Sequence, residues 1–194
     1  MVTTWYTSDL HLGHSRIIEL CGRPFADVDE MNAALVDRWN AVVQPGDHVW
    51  VLGDVSLTTK ALGPVAQLNG RKTLVAGNHD SCWHRHKGWR RKVDVYRAAG
   101  FSGVISTGIV YMHRLAGGIA VQMSHLPYSG DSGDTDRYVD YRPTDNGLPL
   151  ICGHVHEKWK THGKMINVGV DVWDFTPVHE DVVVGLVRDM YRIP

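Results

Sequence analysis

The chain opens on a β-prone run, Val2-Thr3-Thr4-Trp5-Tyr6-Thr7, whose apolar character stops at Ser8, with Asp9, His11 and His14 immediately after it. Asp27 and Glu30 have the spacing of a helix-opening capping pair. Met31, Leu35, Trp39 and Val42 then recur at helical intervals until Pro45-Gly46, which predicts an amphipathic helix. A second strand is predicted over His48-Val49-Trp50-Val51-Leu52, ending at Gly53-Asp54, followed by a helix from Thr59 to Leu68. The Asn69-Gly70 turn leads into a third strand, Lys72-Thr73-Leu74-Val75-Ala76, which runs into Gly77-Asn78-His79-Asp80.

The second half reads as strand-rich. Two β-type runs between Phe101 and Met123 meet around Gly117-Gly118, and the later one is followed by Ser124-His125. Residues 127–149 turn to Gly, Ser, Asp and Pro, a loop long enough to suggest a lid or substrate contact, with Tyr128, Asp131, Asp134, Asp136, Arg137, Tyr138 and Arg142 as its polar and aromatic members. Leu150-Ile151-Cys152 is a short strand ending at Gly153-His154-Val155-His156, and further β runs are expected around 165–170 and 182–187. The segment 84–92, with Arg85, Lys87, Arg90, Arg91 and Lys92 among aromatic residues, is expected to be a solvated helix face.

Composition narrows the class. At 194 residues, 43% hydrophobic and 21% charged, the chain is sized and composed as one globular domain spanning 1–194. A formal net charge of -1 removes the global positive field of a nonspecific nucleic-acid binder, although a nucleic-acid substrate is left open. Cys21, Cys82 and Cys152 form no C-x-x-C pair and are read as free thiols. With no leader-like or membrane-spanning run, they point to a cytoplasmic protein without a membrane partner.

Twelve histidines stand out, because imidazole is both a metal ligand and a proton carrier near neutral pH. Five predicted strands end in His, Asp or Asn, and in α/β sheets the carboxyl ends of strands are where ligands bind. The donors are imidazole, carboxylate and amide oxygen without sulfur, a set that suits Mn, Fe, Zn or Ni, and seven of them exceed the needs of one ion. A bridging carboxylate can hold two cations about 3.5–4 Å apart, the spacing at which one hydroxide is activated for in-line attack at phosphorus. Asp54 is the candidate bridge. His48, His84, His86, His113, His162 and His179 lack motif context and are expected to be surface or satisfied polar residues.

Asp9-x-His11, Gly53-Asp54, Gly77-Asn78-His79-Asp80, Ser124-His125 and Gly153-His154-x-His156 resemble, in order and spacing, the motif series of the calcineurin-like metallophosphoesterases, over most of the chain. The run from Ser8 to His14 and the late Asn167-Val168-Gly169-Val170-Asp171-Val172-Trp173 are similar to a small, uncapped bacterial and phage group. The resemblance implies that Asp9, His11 and His156 ligate one divalent ion, that Asn78, His125 and His154 ligate the other, and that Asp54 bridges them, with manganese the first choice. It assigns His79 to the leaving group or to transition-state charge, where an imidazolium can donate a proton, and Asp80 is the candidate to orient it. Asn78 and His14 are candidate substrate contacts, His14 being equally placed to cap the following helix. Many relatives carry a further acid after Gly-Asp, where this chain has Val55-Ser56-Leu57.

The implied fold is a four-layer α/β/β/α sandwich of two mixed sheets flanked by helices. The implied activity is hydrolysis of a phosphodiester, with cyclic nucleotides among the candidate substrates; a phosphomonoesterase would use the same ligands. A binding scaffold that had lost chemistry should lack ligands, and none is missing. An amidohydrolase barrel needs about 250 residues, more than this chain has.

Overall fold

The computed structural model describes residues 2–191. The first sheet contains β1 (Thr4–Thr7), β2 (His48–Val51), β3 (Arg71–Val75) and β4 (Phe101–Ile105), all parallel, with β10 (Val178–His179) antiparallel on the free edge of β1. The second sheet has the order β5 (Ile109–Arg114), β6 (Ala120–Ser124), β7 (Leu150–Cys152), β9 (Met165–Asn167) and β8 (Thr161–His162), parallel through β6, β7 and β9 and antiparallel at both edges.

Register decides where the polar strand ends go. Thr7 pairs with Val51 and Val51 with Leu74, so β1, β2 and β3 finish level and deliver Asp9, Asp54 and Asn78 to one rim of the sheet. A parallel bridge between Ser8 and Gly169 ties that rim to the second sheet. The loops after β6 and β7, carrying His125, His154 and His156, therefore arrive at the same place.

Three apolar layers hold this arrangement. On the outer face of the first sheet, α2 (Val28–Val42) lays Met31, Leu35 and Trp39 against Val49, Val51 and Leu74, joined by Leu62 and Val65 of a 3-10 helix (Thr59–Gln67) and Tyr96 of α3 (Trp89–Ala99). Helix α2 starts where the sequence predicts: Asp27 accepts the N–H groups of Asp29 and Glu30 at 3.0 and 2.8 Å, and Glu30 accepts that of Ala26. The predicted helix at Thr59 is 3-10 rather than α, consistent with Pro64 inside it, which has no N–H to donate. Between the sheets, Tyr6, Leu52 and Val75 meet Val121, Met123, Ile151 and Ile166. On the far face of the second sheet Leu150, Cys152 and Met165 are covered by Tyr128 and Trp159, so the long loop contributes to the outermost layer.

One expected strand is a helix. Residues 182–187, valine-rich and read as β, lie inside α4 (Glu180–Met190). Val183, Val184 and Val187 are buried at helical spacing, His179 caps the start by accepting the Asp181 N–H at 3.1 Å, and Glu180 and Asp181 complement the helix dipole. Packing of one valine face against the inter-sheet core overrides the β preference of branched side chains. Among the described residues no helix is long and apolar enough to cross a membrane.

Candidate metal centre

Two trios of donors face each other across Asp54. In the first, ligand-capable atoms of Asp9, His11 and His156 lie within 4.8 Å of one another; in the second, those of Asp54, His125 and His154 do. Asp54 Oδ2 is 3.3 Å from His125 Nε2 and 3.8 Å from His11 Nε2, which puts this one oxygen between the trios. Asn78 joins the second group, its Oδ1 3.0 Å from His125 Nε2. In the first group His156 Nε2 lies 3.2 Å from His11 Nε2 and 3.6 Å from Asp9 Oδ1.

The electrostatics are those of a cluster built around positive charge. Asp54 Oδ2 is buried and has no hydrogen-bond partner among the described residues, a costly state for a carboxylate oxygen. Burial alone would raise Asp54, but the His125, His79 and His11 rings hold it well below the usual carboxylate range. Burial likewise opposes charge on His125, yet Asp54 and the Leu52 carbonyl, 2.8 Å from Nδ1, push it up to about 9. With Nδ1 committed to that carbonyl, His125 Nε2 points at two oxygens, Asp54 Oδ2 and Asn78 Oδ1, which only a proton or a cation on that nitrogen reconciles. Burial raises Asp9 and lowers His154 to about 3, keeping that imidazole neutral and able to act as a ligand.

The chain pays for this convergence in backbone strain. Asp9, His11, Asp54, His154 and His156 all have positive φ, between 48° and 73°, a region rarely used by side chains of this kind. The glycines of the motifs admit the carboxylates: a Cβ on Gly77 would strike Asp54 Oδ1 and one on Gly153 would strike Ser8 Oγ. No larger residue fits either place.

Beside the cluster lies a cavity of about 420 Å³. His11, His14, His79 and His156 form one wall, Ile17 and Leu20 an apolar one, and Thr135 and Arg137 of the long loop a third. His79 is the accessible imidazole, its side chain 43% exposed, with Nε2 3.9 Å from Asp54 Oδ2 and its backbone N–H on Asp54 Oδ1 at 2.9 Å. His14 does not cap the following helix α1 (Arg16–Leu20), which begins after Ser15; its ring faces the cavity. The six histidines without motif context lie elsewhere, five of them with hydrogen-bond partners: His113 on Tyr6, His48 on Thr73, His84 on Ser106, His86 on the Asn78 carbonyl and His179 on α4.

Asp80 is not where the sequence reading puts it. Its carboxylate accepts the backbone N–H groups of Asp54, Val55 and Gly77 at 2.9, 3.0 and 2.8 Å and the Tyr96 hydroxyl at 3.2 Å, and it holds the β2 and β3 loops together instead of orienting His79. Burial and the charge of Asp54 raise it to about 7.

The calcineurin-like phosphoesterase profile matches residues 2–158, a span that contains all seven donors. The chain belongs to the calcineurin-like phosphoesterase family. It is 37% identical to the Gene 66 protein of Mycobacterium phage L5, over 99% of this chain and 97% of that one, and 34% identical to the Gene 66 protein of Mycobacterium phage D29, over 93% and 94%. An uncharacterized protein of Methanocaldococcus jannaschii is 30% identical over 93% of this chain and 89% of its own length. Among solved structures, a protein of unknown function from Aquifex aeolicus superposes with a TM-score of 0.70 at 25% identity, covering 96% of this chain and all of that one. Membership makes the chain a metal-dependent hydrolase of phosphoesters.

Several residues outside the predicted ligand set support this phosphoesterase site. Arg23 clamps Asp171 with two bonds of 2.8 and 2.9 Å and donates to the carbonyls of Asp9 and Leu10 at 2.8 and 3.1 Å, fixing the first donor loop. Asn167 donates to the His156 carbonyl at 2.8 Å and accepts the Gly169 N–H at 2.8 Å, fixing the last. Asp131 of the long loop sits with Oδ1 3.3 Å from His154 Nε2, and Arg137 donates to that same oxygen at 2.6 Å; burial would raise its carboxyl, but Arg137 and backbone N–H groups keep it well below the usual range.

Proposed function

We propose that this phosphoesterase is a two-metal phosphodiesterase that takes a small phosphodiester or nucleotide, cyclic nucleotides among the candidates, with manganese as the first choice of ion. The observation that carries the reading is Asp54 Oδ2, buried, without a hydrogen-bond partner among the described residues, and flanked by histidines of both donor trios. The donors fit divalent ions of the Mn, Fe, Zn and Ni kind: Asp9, His11 and His156 on one side, Asn78, His125 and His154 on the other, with Asp54 shared. Two such ions supply charge neutralisation and an activated water for in-line attack at phosphorus.

The chain's own residues do the rest. His79, at the cavity mouth and close to Asp54, is positioned to give a proton to the departing alkoxide. His14 lines the cavity and Asn78, in the cluster beside His125, is the second candidate substrate contact; the cavity with its apolar Ile17 and Leu20 wall has room for an organic group next to a phosphate, which supports a diester. The free thiols of Cys21, Cys82 and Cys152 suit a reducing compartment, and the cytoplasm is the proposed location.

The test is hydrolysis of bis-p-nitrophenyl phosphate by EDTA-stripped protein with and without Mn²⁺, beside an Asp54→Ala control and p-nitrophenyl phosphate. Turnover of the diester restored by Mn²⁺ in the wild type and absent in Asp54→Ala is expected. Turnover of the monoester alone would replace the diesterase by a phosphomonoesterase.

A further inference from the structure

The two ring nitrogens of His156 keep different company. Nε2 faces Asp9 and His11, at 3.6 and 3.2 Å, while Nδ1 lies 3.0 Å from the sulfur of Cys21. Cys21 ends α1 and is half-buried on the cavity wall, and Glu157, next in the chain after His156, brings an exposed carboxylate to the same side. Ligand-capable atoms of Cys21, His156 and Glu157 lie within 4.8 Å of one another. Thiolate, imidazole and carboxylate together are a softer set than the sulfur-free donors of the catalytic cluster, and they suit Zn²⁺.

We propose that Cys21, His156 and Glu157 form an inhibitory site for a thiophilic divalent cation, Zn²⁺ first, which competes with the catalytic cluster for His156. The inference rests on the assignment of His156, with Asp9 and His11, to one of the ions of the proposed two-metal reaction. Its logic is the single proton of a neutral imidazole. When Nε2 serves the catalytic cluster, that proton sits on Nδ1 and points at the Cys21 sulfur. A cation bound through Cys21 and Nδ1 forms a sulfur–metal and a nitrogen–metal bond, releases the thiol proton to solvent and moves the ring proton to Nε2. Nε2 then carries a hydrogen and has no lone pair for the ion beside Asp9 and His11. The cavity that admits substrate also admits the cation, because Cys21 lines it.

Co²⁺ titration of the metal-stripped full chain tests the site directly, since thiolate ligation gives cobalt a near-ultraviolet charge-transfer band that oxygen and nitrogen donors do not. The band is expected in the wild type and in Asp9→Asn, which disables the catalytic trio, and is expected to vanish in Cys21→Ser. No band in the wild type, or a band that survives Cys21→Ser, overturns the proposal. A band in Asp9→Asn together with silence of the Mn²⁺-loaded wild type on every phosphoester would instead retain the site and sink the two-metal reading. Because Cys82 and Cys152 are fully buried, Cys21 is the accessible thiol of the folded wild type, and Zn²⁺ in excess over the catalytic donors should clearly slow its labelling. Unslowed labelling overturns the proposal even if Cys21→Ser fails to fold. Equal sensitivity of Mn²⁺-supported turnover to Zn²⁺ in wild type and Cys21→Ser would remove the inhibitory role.

Discussion

Removing the Arg23 guanidinium should destabilise the protein more than almost any other single polar change. Arg23 and Asp171 are 148 residues apart in sequence, their side chains are 0% and 2% exposed, and they meet in a two-pronged pair. Arg23→Ala strands the Asp171 carboxylate without its partner and leaves the carbonyls of Asp9 and Leu10 without their donor. Breaking a buried pair from one side costs about 3–5 kcal/mol, a large share of a typical total of about 5–15 kcal/mol. At roughly 2–4 °C per kcal/mol for a domain of this size, the midpoint should fall by about 6–20 °C. Thermal and urea unfolding of metal-stripped protein, followed by circular dichroism, isolates this effect from metal binding. Arg23→Lys keeps the charge but not the fork and should lie between. Arg23→Met with Asp171→Leu removes both charges and should recover much of the stability, while metal affinity stays weakened by roughly 10–100-fold because the Asp9 loop is no longer held. A midpoint for Arg23→Ala within about 2 °C of wild type would refute the clamp.

His79→Ala should retain the metal stoichiometry measured by elemental analysis yet slow diester hydrolysis by roughly 100- to 10,000-fold, and near-normal rates on a poor leaving group would remove His79 from proton transfer. Asp47, buried near the start of β2, accepts the N–H groups of Gln44 at 2.9 Å and Thr3 at 3.0 Å and the Trp5 indole at 3.1 Å, which together hold its carboxyl below the usual range. A depressed carboxylate contributes stability that is complete above its unfolded value of about 3.9 and is lost as pH falls through the folded one. The stability gap between wild type and Asp47→Asn should therefore narrow below about pH 3.9; a gap unchanged from neutrality into that range would refute the assignment. Gly153→Ala should abolish tight metal binding in calorimetric titration, since the added carbon collides with Ser8 and Asp9; unaltered affinity would mean the β7 loop can move away.

The convergence of the candidate donors was legible because a parallel strand that ends in a polar residue delivers it to a predictable rim, and Asp9, Asp54, Asn78, His125, His154 and His156 all follow strands whose apolar runs are plain in the sequence. The helix at residues 28–42 was legible for the same kind of reason, a cap followed by a regular apolar stripe. What was not legible depends on distant pairings. Nothing near Arg23 announces Asp171, and nothing in Cys21 announces His156, 135 residues away. Asp80 illustrates a subtler failure: adjacency to His79 suggests a partner, but its carboxylate is taken up by the backbone N–H groups of Asp54, Val55 and Gly77 and by the Tyr96 hydroxyl. The misread run at 182–187 shows that valine content is a weaker guide than the spacing of the valines that are buried.

The strained donors and the polar residues that hold their loops are two sides of one design. Each positive-φ donor costs about 1–3 kcal/mol, and five of them in one site would relax if the backbone were free to do so. Each donor loop is held by a polar group that has no need to touch a metal. Arg23 holds the carbonyls of Asp9 and Leu10, Asp80 holds the N–H groups of Asp54 and Val55, and Asn167 holds the carbonyl of His156. Asp9 itself accepts the His154 N–H at 3.0 Å, so the first donor loop also secures the last but one. The cluster therefore cannot ease its crowding of like donors by spreading apart. Positive charge placed among the donors is the remaining way to relieve it, and that is why a site assembled at a structural cost of this size reads as a metal centre and not as a chance gathering of histidines.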